Sequence, residues 1–241
     1  MQKLIPTLLL SSLLGLLPSA NAADAAKLSV KSPDGQITVT FSITDAGAPQ
    51  YAVNYNCKPL ILDSQLGIKL QGDADLVDGF SIAQTSTVYN DESWKPVTGE
   101  RSVIRDHYNE LTINLSQGKQ PNLQIKFRAY DEGMAFCYRF AKQSGRFTIT
   151  EELSQFRFTA DHFCWDTKDP QEVYRRVPIS QAGNNIERPL VVEINDSPIV
   201  ALGEARLVDY ARLRFKTAAA NTFGIELGSE VKVESPYDTP W

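Results

Sequence analysis

Apolar and polar residues alternate along much of this chain. In Ile37-Thr38-Val39-Thr40-Phe41-Ser42-Ile43-Thr44 the apolar side chains fall on one face and the hydroxyls on the other, which is the period of a half-buried strand. Residues 111–115 and 123–129 repeat the pattern, and Asp131-Glu132-Gly133 separates the second run from Met134-Ala135-Phe136-Cys137-Tyr138-Arg139-Phe140. A short Gly-containing turn between two such runs predicts a β-hairpin. Pro33-Asp34-Gly35 predicts a tight turn, since Pro presets one turn residue and Gly accepts positive φ. Strands are also expected at 50–55, 66–70, 147–150, 156–158, 190–194 and 199–201, and over 223–233 with a break at Gly228. Only 205–213 has helical spacing, through Leu207, Tyr210 and Ala211, enough for a turn or two. Many short strands between turn signals predict an all-β class, a large antiparallel sandwich in one domain from about Lys27 to Glu234.

Both ends of the chain read differently from its middle. Lys3, an apolar run at 4–17 and Ala20-Asn21-Ala22 have the order of a secretory signal with an A-x-A cleavage site. The run is short for a bilayer and is interrupted by Pro6, Gly15 and Pro18, so residues 1–22 are expected to be removed rather than to span a membrane. Ser235-Pro236-Tyr237-Asp238-Thr239-Pro240-Trp241, rich in Pro, reads as a linker leading further.

Charge narrows the choice of partner. The chain carries 24 Lys and Arg against 29 Asp and Glu with no basic stripe, which argues against nucleic acid. Cys57, Cys137 and Cys164 are too few for a disulfide framework. One pair is free to bridge in an oxidising compartment, but Cys137 and Cys164 lie among Phe and Trp and are read first as small buried hydrophobes. Two histidines, His107 and His162, do not favour zinc.

Chemistry is sparse. There is no G-x-S-x-G elbow, phosphate loop, C-x-x-C or H-E-x-x-H. His107 is expected just ahead of a strand in a structural role, though a Ser-His-Asp triad stays open. Asp91-Glu92, Asp131-Glu132 and Glu151-Glu152 are read as turn and surface pairs, because strand neighbours point to opposite faces. Tyr89, Trp94, Tyr108, Trp165, Tyr174 and Tyr210 are expected in loops or at segment ends, where flat rings suit the C–H faces of sugars. Glu204, in Gly203-Glu204-Ala205-Arg206-Leu207-Val208-Asp209-Tyr210, follows an apolar strand. It has two readings: a surface ion pair with Arg206 or Arg212, or a carboxylate ligand for calcium.

Several segments together resemble the N-terminal domain of glycoside hydrolase family 97. They are Ser32-Pro33-Asp34-Gly35, Asp91-Glu92-Ser93-Trp94-Lys95-Pro96-Val97, Tyr108-Asn109-Glu110-Leu111, the hairpin at 127–140, Val173-Tyr174-Arg175-Arg176-Val177-Pro178-Ile179, the stretch at 204–210, and Thr239-Pro240-Trp241. The resemblance covers nearly all of 23–241. It implies a β-supersandwich of the galactose-mutarotase-like kind, set before a (β/α)8 barrel that would follow Trp241 and that carries the family's catalytic carboxylates. It therefore implies no catalytic residue in this chain.

On the same resemblance the chain is an accessory, carbohydrate-binding domain of a secreted α-glycosidase acting on α-linked glucosides or galactosides. It would pack on the barrel, in cis or in trans, and supply Glu204 to a Ca2+ ion that binds only together with the barrel. Where the family motif has His before this Glu, Gly203 stands here. Trp94, Trp165, Tyr210 and Asp209 are the expected sugar-binding residues. The alternative is a stand-alone carbohydrate-binding protein in a Gram-negative periplasm, without catalysis. A mutarotase-like enzyme follows only from fold analogy.

Overall fold

A computed structural model describes residues 27–72, 75–118, 120–140, 145–195 and 198–241. The expected secretory leader lies outside them. Every strand pairing among the described residues is antiparallel, and the only regular helix there is one turn, Ile179–Ala182.

The larger sheet has seven strands in the order Leu28–Lys31, Ile37–Ile43, Pro49–Tyr55, Lys58–Gln65, Gln155–Phe158, Thr222–Leu227 and Leu213–Ala219. A five-stranded sheet runs Tyr237–Asp238, Gly133–Phe140, Gln120–Tyr130, Ile104–Gln117 and Ser81–Trp94. Their inner faces meet through rings: Phe41 and Tyr51 lie 6.1 and 6.0 Å from Phe127, and Tyr51 lies 5.3 Å from Phe136. Phe41, Phe127, Phe158, Phe215 and Phe223 have no exposed surface. Burying each such ring stabilises the fold by about 1.5–3 kcal/mol. A three-stranded sheet (Val231–Glu234, Arg146–Glu152, Ile68–Leu70) and a four-stranded one (Arg175–Pro178, Phe163–Asp166, Leu190–Glu193, Ile199–Leu202) complete the architecture. The fold is the all-β antiparallel supersandwich expected.

Both predicted turns form, and they touch. Gly35 adopts φ +77°, and the Asp34 N–H donates to Asp131 Oδ1 of the 130–133 hairpin at 2.8 Å. Other expectations need correction. Residues 205–213 form no helix, because Arg206 and Asp209 sit at φ 59° and 50°, in the left-handed region that a right-handed helix cannot include. His107 and Tyr108 are not ahead of a strand but inside Ile104–Gln117, whose 14 residues pair along their length with Ser81–Trp94. Tyr89 likewise lies within that partner strand. Cys57, Cys137 and Cys164 are all free, the last two buried. The closing segment is no loose linker: Tyr237 and Asp238 pair with Phe140 and Arg139, and Thr239 exchanges two hydrogen bonds with Tyr138.

Candidate functional site

A cavity of about 600 Å3 opens beside the seven-stranded sheet. Its walls are mostly apolar, with Leu60, Phe136, Phe156 and Leu202 among them, and Asp131, Glu132, Glu152, Glu204 and Tyr210 add polar groups to the lining.

Glu152 is the surprise. In Arg146–Glu152 the buried residues are Phe147, Ile149 and Glu152, so the alternation slips by one. The cause is a register shift against Ile68–Leu70 between Ile149 and Glu151: a bulge reverses which face each later side chain takes. Glu151 therefore points outward to Lys69 Nζ at 3.0 Å, and Glu152 turns inward, 8% exposed. The surface reading of this pair holds for Glu151 and fails for Glu152.

A directed chain of hydrogen bonds meets the Glu152 carboxylate. The Tyr210 hydroxyl donates to Oε2 at 2.8 Å and the Ser154 hydroxyl donates to Oε1 at 2.8 Å. With its proton committed, Ser154 Oγ accepts from Tyr138 at 2.8 Å, and Tyr138 accepts from the Gly67 N–H at 2.9 Å. Burial raises the Glu152 pKa, the two hydroxyl donors pull it down, and the Glu204 charge adds to the rise. Burial also pushes the phenols of Tyr138 and Tyr210 up, so both remain protonated donors.

Glu204 is delivered by the strand Ile199–Leu202, and its side chain is 2% exposed. The surface pairing with Arg206 or Arg212 does not occur. Oε1 instead forms an ion pair with Arg188 Nε at 2.6 Å, and the Leu213 backbone N–H also favours the charged carboxylate. Burial raises the Glu204 pKa and the Arg188 charge opposes that rise. Behind Arg188 stands Glu187, 3% exposed, ion-paired with Arg188, Arg212 and Arg214. The chain's last residue closes the same corner, since Ala205 and Trp241 exchange backbone hydrogen bonds of 2.8 and 2.9 Å. The Trp241 ring lies 4.2 Å from the Arg128 guanidinium, whose other face covers Tyr108 at 4.3 Å.

Two buried carboxyls in one cavity resemble, on paper, a glycosidase acid–base couple. The details do not suit that chemistry. Both Glu152 oxygens are engaged by hydroxyl donors, one Glu204 oxygen is held by Arg188, and the surrounding wall is apolar. A resident calcium fares differently. The buried Glu204 carboxylate, already paired with Arg188, offers a single acidic group, whereas calcium needs about six to eight oxygens. No cluster of three or more His, Cys, Asp or Glu suited to a metal exists among the described residues.

The remaining expected site residues are dispersed. Tyr210 lines the cavity, with its ring stacked on Tyr237 at 6.3 Å and 15°. Asp209 is exposed on the adjoining loop, where its carbonyl and that of Val208 accept from the Tyr237 hydroxyl. Trp94 is 53% exposed at the end of the outer strand of the five-stranded sheet. Trp165, 39% exposed, lies on the four-stranded sheet and donates from Nε1 to Glu193 Oε1 at 2.7 Å. Arg176 pairs with that same carboxylate and covers the Phe163 ring at 3.8 Å. The cavity lining includes none of Trp94, Trp165 and Asp209. The components that sequence reasoning missed are Glu152, Ser154, Tyr138 and Arg188.

Comparison with known proteins gives a consistent match. The glycosyl-hydrolase 97 N-terminal family model matches residues 30–241. A glycoside hydrolase family 97 enzyme from Pseudoalteromonas sp. strain K8, solved in complex with acarbose, superposes with a TM-score of 0.82 at 27% identity. That match covers 89% of this chain and 34% of the enzyme. The panose complex from the same strain gives the same figures. A β-arabinopyranosidase superposes at 0.81 with 23% identity, over 89% of this chain and 39% of that one, and shares the fold. The chain thus spans about a third of the length of the solved enzymes it matches.

Proposed function

The chain belongs to the glycosyl-hydrolase 97 N-terminal family, and from that premise we propose that it serves as the accessory domain of a secreted α-glycosidase. In this reading it packs on a catalytic (β/α)8 barrel, in cis or in trans, and forms one wall of the pocket for an α-linked oligosaccharide. The observation that carries the reading is Glu204: an acidic side chain, 2% exposed, set in a cavity wall and held on the protein side by Arg188. A buried carboxylate costs free energy unless its oxygens are well satisfied. A cation completed by oxygens from a barrel would relieve that cost.

Calcium bound there would supply a fixed positive charge beside the sugar. This chain's own groups do the rest. Glu204 gives one oxygen, Tyr210 and Glu152 stiffen the neighbouring wall, and the Ala205–Trp241 pairing fixes the loop that bears Glu204. Neither Glu152 nor Glu204 acts as acid, base or nucleophile.

The test is hydrolysis of α-glucosides and α-galactosides by the complete native protein carrying this domain, before and after removal of calcium with a chelator. Calcium-dependent turnover that Glu204→Gln lowers is expected. Full activity of Glu204→Gln at all calcium concentrations excludes the ligand role. Turnover by residues 23–241 alone would exclude the non-catalytic assignment.

A further inference from the structure

Ser81–Trp94 is the outermost strand of the five-stranded sheet. On one side it pairs with Ile104–Gln117, without interruption from Gln84 to Trp94. On the other side no strand among the described residues pairs with it, which turns a row of backbone N–H and C=O groups outward. Every residue at 83–89 is exposed, and 81–90 contains neither a charged residue nor Pro. Edge strands are ordinarily guarded by charges, Pro or a covering segment. A bulge between Ile82 and Gln84 blunts only the beginning of this one.

We propose that this edge pairs with the same edge of a second copy, antiparallel about a two-fold axis at Thr87, so that two five-stranded sheets become one. Such an axis sets Thr87 beside its own counterpart, Ser86 beside Val88 of the second copy and Thr85 beside its Tyr89. Thr–Thr and aromatic–β-branched neighbours are favourable cross-strand pairs. Charge selects the direction. Asp91 and Glu92 lie together near one end, and the two-fold brings them opposite the uncharged Ile82 and Ala83 of the second copy, whereas parallel pairing stacks acid on acid. Asp91 is already held by Arg105 Nε at 2.6 Å. A foreign peptide is the other occupant an edge can take, but that mode draws its specificity from pockets for alternate side chains. The 600 Å3 cavity is lined by no residue of 81–94, and both faces of the strand are open to solvent. Self-complementarity supplies the specificity instead, since each pair in an isologous contact occurs twice. Neither the cavity nor Glu204 takes part.

The experiment is the mass in solution of the complete native protein carrying this domain, measured by light scattering over a concentration series. Wild type is compared with Thr87→Lys, Thr87→Glu and an equimolar mixture of the two variants. Wild type is expected at twice the mass of one chain. Each variant alone sets like charges opposite one another at the axis and should fall to the mass of one chain, while the mixture returns to twice that mass. Wild type that stays at one chain mass throughout overturns the proposal, even if slow amide exchange at 84–90 shows the edge to be covered by another part of the protein. A dimer that both variants leave intact overturns it as well, because it uses another surface. So does a mixture that stays at one chain mass. If thermal melting shows that Thr87→Lys does not fold, Val88→Lys and Val88→Glu replace the pair, since they set like charges diagonally across the same axis, and the same outcomes decide.

Discussion

The Tyr210 hydroxyl donates to Glu152 Oε2 at 2.8 Å, joining a loop residue to the last residue of a strand 58 positions earlier. Tyr210→Phe keeps the ring and its stacking on Tyr237 but removes one of the two donors of a buried carboxylate. The expected cost is about 1–3 kcal/mol, read by urea denaturation, with an unchanged cooperative slope. A loss below a few tenths of a kcal/mol would mean that water replaces the phenol at that oxygen.

The same carboxylate makes stability depend on pH. Its folded pKa is raised by burial, so above the unfolded glutamate value of about 4.3 the folded state holds more protons than the unfolded state. Stability therefore falls as pH rises through that window, by at most about 1.4 kcal/mol per pH unit for one carboxyl. Glu152→Gln removes this component. The melting temperature of the variant should gain on that of the wild type between pH 4.5 and pH 7, and a difference that does not vary with pH would refute a raised Glu152 pKa.

At the far end of the hydrogen-bond chain, Gly67 has no room for a side chain. Its φ is +154°, and a Cβ would lie 3.2 Å from the Leu76 carbonyl oxygen and 3.3 Å from Val77 atoms. Gly67→Ala must push that backbone away and pull its N–H from Tyr138. A cost of about 1–3 kcal/mol is expected, and the double variant Gly67→Ala/Tyr138→Phe should cost less than the sum of the two single losses. Strict additivity would show that the Gly67–Tyr138 bond carries no coupling.

Why part of this was legible in the sequence, and part was not, follows from what alternation encodes. Period two locates a strand and divides its faces, which is enough for Ile37–Ile43 and Gly133–Phe140. It fails where the phase slips: extending Phe147 and Ile149 puts Glu151 inside, and only the bulge sends Glu152 there. It also fails for Ser81–Trp94, where both faces are solvated and the residues are mostly polar, leaving no contrast to detect. Glu204 stands out because it follows an apolar strand, whereas its partner Arg188 lies 16 residues away in sequence and comes close through the Leu190–Glu193 and Ile199–Leu202 hairpin. Carboxylate partners chosen by sequence proximity, Arg206 and Arg212, were therefore the wrong ones.

Sugar contact can be tested through two tryptophans that sit in different sheets. Trp165 has a half-open ring, but its indole N–H is committed to Glu193, which also pairs with Arg176. Trp94 sits with 53% exposure at the far end of a strand that ends beside the 95–103 loop. A sugar ring that stacks needs one aromatic face plus hydrogen-bond partners held in place around it, and only Trp165 has such neighbours in Glu193 and Arg176. Intrinsic fluorescence titration with a maltose-type oligosaccharide should therefore respond through Trp165: Trp165→Phe abolishes the change and Trp94→Phe keeps it. If Trp94→Phe alone removes the response, contact lies at the hairpin end instead. If the wild-type emission does not move at saturating sugar, neither ring is a stacking surface in this chain by itself, and recognition then belongs to the cavity corner that carries Glu204.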